Sequence, residues 1–308
     1  MTTDSPFNWR QAQDPLVREL GWNLFSTPVV EALPGIAPPW PVQEDRGAVE
    51  ILAALDRDPD TLQQHLAALG DKRLGARFEA AWSYFFTHHP RYELLAQNWP
   101  VHQRGRTLGA LDFLFRDTHL GTVIHAEMAI KFYLYKAGHT GPELARWIGP
   151  NPDDSLHLKL QHLASHQLAL SDRSETRQQL TQAALPVPDR KAVLVKGWLF
   201  HPLGQLIDTP APVNADHPRG EWLTQCELPA LLADQSHHPF RTQWSFVSRH
   251  QWLMPVRNNR DHATLRRQVS AHLTATGQPA MICRFVEGGE PMAAQRYFVV
   301  PDHWPDSR

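Results

Sequence analysis

Residues 122–135, TVIHAEMAIKFYLY, alternate in character almost without a break. Ala126, Met128, Ile130, Phe132 and Leu134 share one parity, while His125, Glu127, Ala129, Lys131, Tyr133 and Tyr135 share the other. A period of two belongs to an extended chain, whereas a helix would scatter these residues around its circumference. The segment predicts a long strand with one buried face and one chemically equipped face. It limits what the flanking chain can build.

The segments around it follow two periods. Leu74, Phe78, Ala81 and Phe85 recur at helical spacing and predict an amphipathic helix over 72–87, ended by Pro90. Tyr92 to His102 reads as a strand, Gly105 and Gly109 bracket a turn, and Ala110 to Phe115 reads as a second strand. A second turn, Asp117 to Gly121, leads into the long strand. A loop with Gly138, Gly141, Gly149, Pro150 and Pro152 follows. Leu156 to Leu170 then predicts a helix with Leu156, Leu160, Leu163 and Leu170 on its core side, and Ala192 to His201 another strand. The order is helix, three strands, helix, strand.

Upstream, Leu16, Leu20 and Leu24 and the stretches Ala48 to Leu55 and Leu62 to Leu69 predict helices, with a proline-rich loop over Leu33 to Pro41. Downstream lie loops over 206–220 and 234–240. One or two strands follow within Arg241 to Val256, then a helix over Leu265 to Thr274 and strands at Ala280 to Val286 and Arg296 to Val300. The chain therefore divides into a helical N-terminal extension (1–70), an α/β core (71–205) and a β-rich C-terminal region (206–308).

Composition narrows the function classes. Hydrophobic residues make up 42% of the 308, enough for a packed core. A formal charge of −2 supplies no field that would draw in nucleic acid, so any phosphate contact must come from a local patch. The two cysteines, Cys226 and Cys283, form no CxxC pair, which argues against a thiolate zinc site and fits a reducing compartment. MTTDSPFNWR lacks the basic and apolar regions of a secretory signal, and no apolar run reaches the ~18 residues that cross a bilayer. A soluble cytoplasmic protein is expected. P-loop, GxGxxG and GxSxG motifs are absent.

The chemistry-bearing residues cluster on the central strands. Phosphodiester cleavage needs an activated water and neutralisation of charge on phosphorus, and a divalent ion held by carboxylates supplies both. Asp112 lies on one strand, Glu127 and Lys131 on the next, and the short turn between the strands predicts a hairpin that sets Asp112 beside the Glu127 face. Glu79, one position after Phe78, sits at the edge of the preceding helix's apolar face, from which it can lean toward the sheet. Taken alone, Glu127 and Lys131 also fit an ordinary charged surface strand.

Helix–strand–strand–strand–helix–strand, with Asp on the second strand and an acid and Lys on the third, resembles the αβββαβ core of the PD-(D/E)XK, or restriction-endonuclease-like, nucleases. RLGARFEAAW, RTLGALDFLF and HAEMAIKFYL are more closely similar to an uncharacterised bacterial domain family placed in that superfamily, a resemblance continuing through KGWLFHP and FVVPDHWP. It implies a metal-dependent hydrolase of phosphodiester bonds, in DNA rather than RNA. Asp112 and Glu127 would bind Mg2+ or Mn2+, Lys131 would be the catalytic lysine, and Glu79 the acid of the first helix. The superfamily spaces its second acid and lysine as acid-x-Lys, whereas Ala129 stands two before Lys131 here and Glu127 stands four before. At ~3.3 Å per strand residue this stretches the Cα separation to about 13 Å from about 7 Å. A catalytically inactive nuclease-like scaffold that binds nucleic acid or a protein is the alternative.

Weaker signals lie nearby. Lys159, His162 and His166 share one helix face, suited to phosphate contact or to a solvated surface. His125 shares the Glu127 parity and can orient a ligand or water. Arg249, Arg257 and Arg260 fall in a basic stretch interleaved with Trp244, Phe246 and Trp252, a composition suited to a nucleic-acid groove and equally to core aromatics between solvated arginines.

Overall fold

The computed structural model describes residues 7–31, 33, 45–70, 73–233, 241–254, 257–290 and 293–305. The protein is mixed α/β, with a large sheet containing both parallel and antiparallel pairs. In chain order the helices and strands are α1 (Pro15–Phe25), α2 (Arg46–Arg57), α3 (Asp60–Ala67), α4 (Leu74–His88), β1 (Tyr92–Gln103), β2 (Arg106–Asp117), β3 (Thr122–Tyr135), β4 (Trp147–Ile148), α5 (Leu156–His162), α6 (Ser174–Gln182), β5 (Arg190–Pro202), β6 (Arg219–Thr224), α7 (Leu228–Ala233), β7 (Thr242–Val247), α8 (His262–Thr276), β8 (Ala280–Val286) and β9 (Gln295–Val300). The chain forms two compact units. The first comprises residues 1–130, 158–196 and 211–216, the second 131–157, 197–210 and 217–308.

In the first unit, α1 and α2 start where the sequence supplies acceptors for their unpaired amides. The Asp14 side chain accepts from Leu16 N–H, and Asp45 accepts from Gly47 and Ala48 N–H. Glu19 of α1 holds Arg77 of α4 through two hydrogen bonds of 2.5 and 2.7 Å. One face of α4 is aromatic. Phe78, Trp82, Phe85 and Phe86 are fully buried, and Phe86 stacks on Phe115 of β2 with ring centroids 4.2 Å apart. β1 and β2 form an antiparallel hairpin, and β2 pairs antiparallel with β3 from Asp117/Thr122 to Phe113/Ala126. A second cluster gathers Val101, Leu111, Leu114 and Val123 of the strands with Leu170 and Leu180 of the following helical segments.

Several expectations are corrected. Gly109 marks no turn. It lies within β2, where an added Cβ would sit 2.7 Å from Leu170 Cδ1, so close packing accounts for it. The second face of β3 is not open, because His125 and Glu127 are as buried as their apolar neighbours under the chain that follows α5. The helix predicted over 156–170 is not uniform. It is α-helical to His162, makes a π turn over Leu163–Gln167 and a 3-10 turn over Leu168–Asp172. The loop predicted over 138–152 contains β4, while the one over 206–220 is irregular as far as residue 218, after which β6, a strand with no predicted counterpart, begins. The proline-rich stretch 34–41 and the loop 234–240 lie outside the described residues.

In the second unit β6 lies between β5 and β9, parallel to both, while β9, β8 and β7 are antiparallel neighbours. Leu265, Val269 and Leu273 of α8 and Leu228 and Leu232 of α7 pack with Leu223, Ile282, Tyr297 and Val299 of the strands. Phe132, Trp198, Trp252 and Phe298 form an aromatic cluster with centroid distances of 4.9–6.3 Å.

Candidate functional site

The β2–β3 register places Asp112 and Glu127 one step past the Phe113/Ala126 pair, where two carboxylates face each other. Both take part in the local backbone bonding. The Asp112 N–H donates to Glu127 Oε1 at 3.3 Å, and the Met128 N–H donates to Asp112 Oδ2 at 3.1 Å. The two carboxyl groups also act on each other's ionisation. Glu127 is fully buried, whereas Asp112 is half-buried, so Asp112 forms the solvent side of the pair.

Glu127 is held on both oxygens. His125 Nε2 lies 2.8 Å from Oε1, and Gln167 Nε2 donates to Oε2 at 2.5 Å. His125 Nδ1 lies 3.0 Å from Ser171 Oγ. Burial drives the His125 imidazole down to about 4, so it is neutral at neutral pH and carries one proton. An Nε2–H donated to Glu127 leaves Nδ1 as an acceptor. Ser171 Oγ also donates to the Leu168 carbonyl at 3.3 Å, so its single proton serves either that carbonyl or His125 Nδ1. Gln167 Oε1 in turn accepts from Lys159 Nζ at 2.9 Å.

The electrostatics follow from burial and charge. Burial first, then the facing Glu127 carboxylate, push the Asp112 carboxyl well above its ordinary value. Burial pushes Glu127 up as well, with Glu79 adding to the rise and the Asp112 hydrogen bonds and Lys159 charge opposing it. Two carboxylates at such a place resist double ionisation unless a proton or a cation lies with them.

The donor set fits a hard divalent ion that keeps most of its waters. Magnesium-like ions are commonly held by one or two carboxylates, and of this pair Asp112 is the less buried residue. Among the described residues no group of three or more His, Cys, Asp or Glu is arranged to hold a metal, so a closed protein cage is not on offer.

The remaining expected residues are placed as follows. Glu79 accepts from Asn98 Nδ2 at 3.2 Å and stands near enough to Glu127 to repel it. Lys131, in the second unit, makes an ion pair with Asp154 at 2.7 Å, and Tyr133 Oη donates to the same carboxylate at 3.5 Å. His162 and His166 stack with centroids 4.8 Å apart. In the second unit Arg249 lies over Trp252 at 5.5 Å, Arg257 donates to the carbonyls of Val286 and Gly289, and Arg260 is exposed. Trp244 and Trp252 are buried and Phe246 is partly buried against the core. The two tryptophans are core aromatics, so no base can stack on them.

Gln167 and Ser171 are contributors that the sequence reading passed over. Gln167 had a legible signal. In the series Leu156, Leu160, Leu163, Gln167, Leu170 it is the one polar residue in an apolar stripe. Ser171 had none.

Fold and site together define a mixed α/β protein with a cross-strand carboxylate pair, buried on its Glu127 side and braced there by a neutral histidine and a glutamine. The chain belongs to the family described as a domain of unknown function, DUF1853, whose model matches residues 18–300. No curated protein and no solved structure matches it. Among the described residues no helix is long and apolar enough to cross a membrane.

Proposed function

We propose that this protein is a metal-dependent nuclease-like hydrolase of phosphodiester bonds, acting on DNA ahead of RNA. The observation that carries the reading is the meeting of Asp112 and Glu127 from neighbouring strands, with oxygens facing and with their charges mutually unfavourable. The succession α4, β1, β2, β3, α5 and α6, β5, interrupted by the two-residue β4 after β3, supports assigning residues 71–205 to a PD-(D/E)XK-like core. Asp112 and Glu127 would hold Mg2+ or Mn2+, which when bound supplies charge neutralisation and an activated water. His125 and Gln167 fix the Glu127 carboxylate so that its oxygens stay aimed at Asp112. Glu79 adds negative charge that favours a cation at the pair.

The test is a melting series with and without Mn2+ or Mg2+, followed by incubation with linear, nicked, branched and single-stranded DNA. The ion is expected to raise the melting temperature of the wild type and not of Asp112→Asn, because only a folded carboxylate site binds it. Cutting is expected to depend on the ion and to disappear in Asp112→Asn. A wild type that cuts none of these substrates sinks the hydrolase.

A second reading, a catalytically silent nuclease-like scaffold that binds nucleic acid or a protein, is favoured by one observation. Each carboxylate already accepts a backbone N–H of the opposite strand, an architectural job that needs no ion. Ala129, where the superfamily spacing expects an acid, points the same way. DNA retained without cutting would favour this scaffold.

A further inference from the structure

We infer that Lys159, on α5, is the lysine that serves the Asp112–Glu127 site, in place of Lys131. This assignment rests on the hydrolytic reading above. It names the group that meets the substrate phosphate.

Strand parity alone selects Lys131, because it shares the parity of Glu127. Its ammonium, however, is engaged by Asp154 at 2.7 Å, with both side chains about one-third exposed (30% and 34%). Lys159 is joined to the site instead. Its Nζ donates to Gln167 Oε1 at 2.9 Å, and the same amide donates through Nε2 to Glu127 Oε2 at 2.5 Å. One planar amide therefore separates the ammonium from the carboxylate. The Lys159 charge favours the ionised form of Asp112 and Glu127 alike.

The π turn makes this alignment. Eight residues at 100° each would leave Lys159 and Gln167 about 80° apart on a regular helix. The wide turn over Leu163–Gln167 takes up an extra residue. Removing one step of rotation brings the two side chains to within about 20° of each other. Such turns recur at functional sites, and here its product is a half-buried lysine bonded to a partner of Glu127.

In hydrolysis, water adds to phosphorus, the P–O ester bond breaks, and the leaving oxygen takes a proton from solvent. Lys159 keeps its own proton throughout. Its ammonium donates to a non-bridging phosphate oxygen, where negative charge grows as the water adds.

The experiment compares wild type, Lys159→Met, Lys159→Arg, Lys131→Ala and Asp112→Asn on the same labelled DNA set with Mn2+. Lys159→Met keeps the length of the stem and removes the charge. It is expected to slow cutting by about 10²–10³-fold. The Mn2+-induced rise in melting temperature should remain, because both carboxylates are intact. Lys159→Arg is expected to recover part of the rate. Lys131→Ala is expected to lose less than about tenfold, the effect of a change outside the chemistry. Wild-type rates in Lys159→Met, or loss of cutting in Lys131→Ala alone, overturn the assignment while the hydrolase stands. A Lys159→Met protein that loses both cutting and the Mn2+ response, without arginine rescue, also overturns it, because the lysine would then be structural. An inert wild type overturns both readings together.

Discussion

Gly197 lies where two backbone segments of the second unit meet closely. Its φ is +136°, and an added Cβ would fall 1.6 Å from the Lys131 carbonyl oxygen. Positive φ costs an L-residue about 1–3 kcal/mol, and here the obstruction is backbone, which cannot rotate away. Gly197→Ala is therefore expected to lose more than ~3 kcal/mol in urea unfolding, if it folds at all. A loss under about 1 kcal/mol would show that β5 can shift away from Lys131. At the candidate site the same scale separates two kinds of partner. His125 and Ser171 are buried and hold Glu127 from behind, whereas Asp112 and Lys159 are half-buried and can meet a ligand.

At the scale of elements, α4 and the β1–β2 hairpin are joined by aromatic packing. Phe86 stacks on Phe115 and sits 5.6–5.7 Å from the rings of Phe113, Tyr92, Phe85 and Trp82. Removing a fully buried phenylalanine from such a cluster costs about 3–5 kcal/mol through lost transfer energy and the cavity left behind. Phe86→Ala is expected to shift the urea midpoint by that amount with the slope unchanged. A shift below ~1 kcal/mol would mean that the cluster collapses into the space. The helical segment after α5 shows how an element can be readable in type and unreadable in detail. Its leucine stripe announces a helix, while the π turn that aims Gln167 at Glu127 leaves no periodic trace.

At the scale of the whole molecule, the carboxylate pair couples folding to pH. Both groups are pushed up, so above the ordinary carboxylate value the folded chain holds protons that the unfolded chain has released. Stability from a raised group is fully present below its unfolded value, about pH 4, and is lost as pH rises through the raised one. Without divalent ions, wild type is expected to lose stability from about pH 4 to neutrality more steeply than Asp112→Asn, which lacks the facing charge. Urea midpoints at intervals of one pH unit read this directly, and parallel curves would contradict it. Mn2+ is expected to flatten the wild-type curve, since a bound cation would relieve the repulsion between the two carboxylates.

Local periodicity alone declares the strongly patterned elements and their order, whereas β4, β6 and α7 escape it. Leu74, Phe78 and Phe85 marked α4, and the unbroken alternation of 122–135 marked β3 to its end residues. Periodicity is written locally, so a chain with a strong pattern declares its strands and helices without its neighbours. The pairing of Asp112 with Glu127 was legible for the same reason, since a short turn between adjacent strands sets the register. Packing alone covers the His125–Glu127 face, brings Asp154 to Lys131 and joins Lys159 to the site through Gln167. Those facts depend on segments distant along the chain coming to pack on the same strand. A face with alternating polar residues reads identically whether water or another segment lies over it.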